Sequence, residues 1–175
     1  MKKAFTIVET LVAITILMIA ISGPLTAAFR AMTASVAARD QMTANFLAQD
    51  AIEYVRNVKD NNVDSDTVGI DGTLYMLDEC KGIENKCSID TLQASPSNAI
   101  TKGCDLTTGC VLYKKPDGKL THVSSGNAPT KFKRYFYITN ESSQSAQVVV
   151  DVEWQTGAYN TTHTILKNDL YYVTK

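Results

Sequence analysis

The sequence predicts an α+β chain in which one long N-terminal hydrophobic helix packs under an antiparallel β-sheet head. Three observations predict it. An uncharged run of 20 residues extends from Thr10 to Phe29. Apolar residues then recur at three- and four-residue steps as far as Val58. The last third alternates apolar and polar side chains, most clearly in AQVVVDVEWQ from Ala146 to Gln155. The first two carry the period of a helix and the third that of a half-buried strand. With 175 residues, 45% of them hydrophobic, the chain has room for one globular domain of ordinary size beside a separate N-terminal element.

At 1.5 Å per residue the Thr10 to Phe29 run makes a helix about 30 Å long, the thickness of a bilayer's hydrocarbon core. Lys2 and Lys3 precede it and no other basic residue follows before Arg30. That asymmetry favours a cytoplasmic N-terminus with the bulk of the chain outside. A cleaved secretory signal, with small residues around Thr26, Ala27 and Ala28, fits the run, and so does a plain single-pass anchor. Neither explains Glu9. A charged side chain at the centre of an inserted helix costs about 2.5 to 3.5 kcal/mol on insertion scales, and less near its end. Glu9 is therefore either an interfacial residue of small cost or a functional group that needs a partner.

Gly23-Pro24 interrupts the apolar run. Proline removes a backbone hydrogen bond and crowds the preceding turn, and glycine lowers helix propensity further, so a kink is expected there. Beyond it Phe29, Met32, Val36, Thr43, Leu47, Ala51, Tyr54, Val55 and Val58 form one stripe, with Arg39, Asp40, Gln49, Asp50 and Arg56 mostly on other faces. Phe5 to about Lys59 thus reads as one helix, roughly 80 Å long at 1.5 Å per residue. It is expected to stop in NVKDNNVDSD, whose Asn and Asp side chains compete with helical hydrogen bonding.

Strands are expected after it. Thr73 to Leu77 is short and apolar. Cys110 to Lys115 and Lys119 to Val123 flank Pro-Asp-Gly, a turn signal. Lys131 to Thr139 follows, and then, past a polar turn, Ala146 to Gln155 with Val148, Val150, Val152 and Trp154 on one face. TGAYN turns the chain into Thr161 to Tyr172. The last three runs predict an antiparallel meander with one apolar face laid on the helix stripe.

The stretch KKA-FTIVE-TLVAITIL resembles the leader and start of a type IV pilin or a type II secretion pseudopilin. Precursors of that family have a short basic leader, a cut before Phe, and Glu at the fifth position of the mature chain. Counted from Phe5, Glu9 is that residue. The wording after Glu9 is more similar to minor pilins and pseudopilins than to major ones. Ala4 stands where the family usually has Gly. The resemblance covers residues 2 to about 30. It implies cleavage between Ala4 and Phe5 by a prepilin peptidase, N-methylation of Phe5, and assembly into a filament by an inner-membrane platform. It further implies that Glu9 of one subunit neutralises the new Phe5 ammonium of its neighbour, a pair that is attractive where an unpaired charge is costly. The implied organisation is a cleaved leader at 1–4, a transmembrane and filament-core helix at 5–29, an amphipathic continuation at 30–60 and an extracytoplasmic head at 61–175, in the plan of a ladle. The location implied is the cytoplasmic membrane with the head outside, then an extracellular or periplasmic filament. The other class that fits is a secreted or membrane-anchored binding protein with an ordinary signal or anchor.

Cys80, Cys87, Cys104 and Cys110 fall within 31 residues. In an exported head they allow three disulfide connectivities. Local pairs, Cys80 with Cys87 and Cys104 with Cys110, each close a short loop. Zinc is the weaker alternative: the spacings exceed the usual two to four intervening residues, and only His122 and His163 are at hand to assist. The acidic loop DNNVDSDTVGIDG lacks the alternating oxygen ligands and closing Glu of a calcium loop. No metal or other cofactor is expected. Lys131, Lys133 and Arg134 beside Tyr135, Phe136 and Tyr137 have the composition of a nucleic-acid strand, but alternation on a half-buried strand yields the same composition, and a net charge of -1 gives no basic field. Nucleic acid is not expected as a partner. His122 and His163 have no recognisable nucleophile beside them in the sequence, and no Gly-x-Ser-x-Gly elbow occurs, so no enzyme activity is expected.

Overall fold

The computed structural model describes residues 6–64, 77–93, 95–105, 109–142, 144–156 and 160–171. One helix, α1 (Ile7–Asp64), leads into a sheet-bearing region. The chain divides into two compact units, Met1–Asp40 and Gln41–Lys175. In the first, every residue from Ile7 onward is helical. Pro24 lies inside α1 without ending it. The expected start at Phe5 lies outside the described residues. The end falls at Asp64, past Lys59 but within the Asn/Asp stretch, where a side-chain hydrogen bond from Asn61 to Asn57 (2.9 Å) supports one further turn.

The second unit is built on five antiparallel strands in the order β4-β3-β5-β6-β7: β3 (Val111–Lys114), β4 (Leu120–Thr121), β5 (Ala128–Thr139), β6 (Ser145–Thr156) and β7 (Asn160–Tyr171). A small hairpin of β1 (Ser88–Ile89) and β2 (Ile100–Thr101), joined through a short helix α2 (Pro96–Ala99), lies beside them. The expected meander is β5-β6-β7, and β3 and β4 are the strands flanking Pro-Asp-Gly. In that turn Gly118 takes φ +88°, and its N–H donates to the Lys115 carbonyl (2.9 Å). Strand β4 is shorter than expected because Asp90 accepts hydrogen bonds from the Thr121 hydroxyl and the His122 N–H, drawing the chain away from the ladder. The strand expected over Thr73 to Leu77 lies outside the described residues except for Leu77, which leads into a 3₁₀ turn at Asp78–Cys80. Residues 65–72 of the acidic loop are also outside them.

Register explains the core. Phe132, Arg134, Phe136 and Ile138 of β5 stand opposite Trp154, Val152, Val150 and Val148 of β6, and these last three stand opposite Thr164, Leu166 and Asn168 of β7. With a period of two, all of them share one sheet face. That face packs on Ala44, Leu47, Ala48, Ala51, Ile52, Val55 and Val58 of α1, buried at helical spacing. The three alanines let the helix backbone approach the sheet. The stripe therefore buries later than expected: Phe29, Met32 and Val36 are 61%, 65% and 59% exposed, and among the described residues the core's apolar side chains begin at Ala44.

Both local disulfides form, Cys80 to Cys87 and Cys104 to Cys110. They bear on the edge of β5 that β3 does not cover. Cys87 exchanges backbone hydrogen bonds with Phe136 (2.9 and 2.8 Å), Gly82 donates to the Ile138 carbonyl (2.8 Å), and the Cys110 carbonyl accepts from Arg134 (2.9 Å).

Candidate functional site

Thr6 precedes the first helical residue, and Glu9 lies in the first turn of α1. The Glu9 N–H donates to the Thr6 carbonyl (3.1 Å) and lies 3.4 Å from the Thr6 hydroxyl oxygen. Thr-x-x-Glu is the spacing of a capping box, in which the first residue satisfies an orphan N–H at the third helical position. A carboxylate here also meets the positive end of the helix dipole, a contribution of about 0.3 to 1 kcal/mol. The contact is made by the Glu9 backbone N–H, and among the described residues the Glu9 carboxylate does not return a hydrogen bond to Thr6. The side chain is exposed and has no ion-pair partner among the described residues. Ala4 and Phe5, the expected processing site, lie outside the described residues.

From Ile7 to Leu25 the large apolar side chains are exposed, Ile7 by 83% and Leu25 by 53%. Among the described residues α1 is the helix long and apolar enough to cross a membrane, and none of its most apolar stretch is buried within the chain. The hydroxyls on this surface bond to their own helix: Thr10 to the Ile7 carbonyl (2.8 Å), Thr15 to Val12 (2.8 Å), Ser22 to Ile19 (3.0 Å) and Thr26 to Ser22 (2.8 Å). Each is thereby satisfied without water, as an apolar surrounding requires. A Cβ added to Gly23 would meet nothing within 4 Å, so packing inside the chain does not require glycine there.

In the second unit the basic residues of β5 do not share one face: Lys131 and Lys133 alternate with Arg134 along the strand. Arg134 points inward and is 1% exposed. Its guanidinium donates to the carbonyls of Leu47 (3.0 Å) and Ile89 (2.6 Å) and to the Asp50 carboxylate (3.0 Å), tying α1, β1 and β5 together. Burial lowers its pKa, opposed by the charge of Asp50. Lys133 is ion-paired to Glu153 (3.1 Å). This buried arginine centre was not anticipated, because Asp50 lies 84 residues away in sequence.

The two histidines are far apart in role. His122 donates from Nδ1 to the Val111 carbonyl (3.1 Å), and its Nε2 is buried without a partner among the described residues. Burial, then the nearby Arg134 charge, push its pKa down to about 4. His163 lies on the opposite sheet face, 3.2 Å from Asp151, which also accepts from the Tyr135 hydroxyl (2.7 Å). Burial first and that hydrogen bond second hold the Tyr135 phenol above its ordinary pKa. Among the described residues no three His, Cys, Asp or Glu side chains gather as a metal would need. No protein-family model, curated protein or solved structure matches this chain.

Proposed function

We propose that this chain is a structural subunit, of the minor pilin or pseudopilin kind, of a type IV pilus-like or type II secretion-like filament. Its activity is assembly, not chemistry. A prepilin peptidase cuts between Ala4 and Phe5, Phe5 is N-methylated, and the inner-membrane platform moves the apolar helix from lipid into a fibre of like subunits. The observation that carries this reading is Glu9: an exposed carboxylate, with no ion-pair partner among the described residues, at the start of an exposed apolar helix. The self-satisfied hydroxyls support it, since they suit either lipid or a packed helical core. Two local disulfides suit an oxidising compartment for the head.

Glu9 and the Phe5 ammonium of a neighbour would set axial register. Removing one partner of a buried ion pair costs about 3 to 5 kcal/mol, because the other charge is left uncompensated. Glu9→Ala is therefore expected to insert normally and to be absent from filaments, as read by immunoblotting membrane and sheared-fibre fractions. Incorporation at parental levels would refute the pairing.

A second reading, a secreted or single-pass anchored binding protein, is favoured by the place of Glu9 in the first turn of α1, where the helix dipole gives its carboxylate a local use without any neighbour. N-terminal sequencing separates the two. N-methylated Phe5 identifies the filament subunit, a start near Phe29 the secreted protein, and an intact Met1 the anchored one.

A further inference from the structure

We propose that β7 is the contact edge of a two-fold dimer of this chain, with the dyad passing beside Asn168. Strand β7 is 12 residues long and lies at the end of the sheet. An edge strand presents a row of unpaired N–H and C=O groups, a template for another strand. The opposite edge, β4, has only two residues. The stretch of β5 beyond β3 is occupied by the Cys80 to Cys87 loop. Among the described residues, β7 is thus the long strand with no strand on its outer edge, and Lys59 of α1 reaches it only at its end, donating to the Tyr171 carbonyl (3.4 Å).

The second copy follows from the side chains. On the sheet face away from α1, β7 presents Ile165, Lys167, Asp169 and Tyr171, all exposed, with Ile165 at 54% and Tyr171 at 67%. A dyad perpendicular to a continuous sheet pairs antiparallel strands so that each residue faces one of the same parity, since a slip by one would reverse the faces. Centred on Asn168, this pairing sets Lys167 against Asp169 of the second copy, and Asp169 against its Lys167. It also sets Ile165 against Tyr171 in both directions. Centred on Lys167 or on Asp169, it would bring like charges directly opposite, which disfavours pairing. Centred on Leu166, it would face Ile165 with Lys167. Of these four centres, the Asn168 dyad alone matches both the opposite charges and the exposed apolar pair. The contact is isologous and closes at two copies. It uses no residue of the apolar N-terminal helix and stands independently of the filament assignment.

The test uses the full chain in detergent micelles, with self-association measured by sedimentation equilibrium. Lys167→Glu and Asp169→Lys each create two like-charge pairs across the dyad and are expected to weaken the dimer about 10-fold. The double reversal restores opposite charges and is expected to recover the parental constant. In parallel, differently tagged copies carrying Lys167→Cys and Asp169→Cys are co-expressed. The four native cysteines are held in disulfides, so each added thiol is the free one. Directly opposed residues fall within disulfide reach, whereas a diagonal pair does not. The mixed cross-link is expected in excess over either self-cross-link. The proposal holds if the double reversal recovers dimerisation and the mixed cross-link predominates. A monomer at all concentrations, a dimer indifferent to both reversals, a double reversal without recovery, or equal cross-linking of like positions would overturn it.

Discussion

His122 shows how a single half-buried ring, with its Nε2 sealed inside, couples the head to pH. Its Nδ1–H is committed to the Val111 carbonyl and its Nε2 is sealed from solvent, so protonation would place a second cation near Arg134. The folded pKa of about 4 lies below the ordinary 6.5, so the unfolded chain binds the proton more readily across that interval. The stabilisation is present in full above pH 6.5 and is lost as the pH falls toward 4. Between pH 7 and pH 5 this one group should remove about 2 kcal/mol, on the conversion of 1.36 kcal/mol per pKa unit. Urea unfolding of parent and His122→Gln at both pH values checks it: the parent should lose about 2 kcal/mol more than the variant. Equal losses would show that His122 is not sealed as described. Arg134 teaches the complementary lesson about legibility. Period two in KFKRYFYI places Arg134 on the same face as Phe132, Phe136 and Ile138, so its inward orientation was present in the pattern. What the sequence could not display was the set of acceptors, which come from α1 and β1 and meet only in the folded head.

At the scale of elements, the long runs were legible and the short ones were not. An uncharged 20-residue run and ten alternating residues each carry a period that local sequence makes visible. Strand β4 was signalled by the Pro-Asp-Gly turn and only its length was not; strands β1 and β2, with two residues each, are too short to show a period. They exist because side chains such as Asp90 and the disulfide loops hold the chain beside the sheet. The stripe on α1 was legible in phase but not in extent. Spacing shows which side of a helix is apolar, and only the partner surface shows where burial begins, here at Ala44. The Cys80 to Cys87 loop is therefore an element with a structural duty, since it occupies the open edge of β5. Closing a loop of separation 7 stabilises the fold by about 2.5 kcal/mol on the chain-entropy model. The double variant Cys80→Ala/Cys87→Ala should lose about that much in urea unfolding, with any change in denaturant slope an increase, because the unfolded chain is less constrained. A loss below about 0.5 kcal/mol would mean that backbone pairing to Phe136 alone holds the segment.

For the whole molecule, the division at Asp40 and Gln41 separates an exposed apolar helix surface from a unit with its own core. Among the described residues, the core of the second unit draws its helical side from Ala44 to Val58. The preceding residues instead carry Ile7, Leu11, Ile16, Leu17 and Ile19 on the outside, a surface whose exposure to water is unfavourable by about 25 cal/mol per Å². A chain beginning at Val36 keeps the whole core, both disulfides and the Arg134 centre, and discards that surface. It should fold as a soluble protein within about 1 kcal/mol of the full chain's stability, which for a domain of this size shifts the melting temperature by roughly 2 to 8 °C. Far-UV circular dichroism should show less helix and the same sheet, and the cooperative thermal transition should persist. A fall of more than about 15 °C, well beyond what 1 kcal/mol produces, would show that the apolar segment contributes to head stability. Within that limit, the apolar segment is free of any folding duty toward the head, and its composition answers to its surroundings alone.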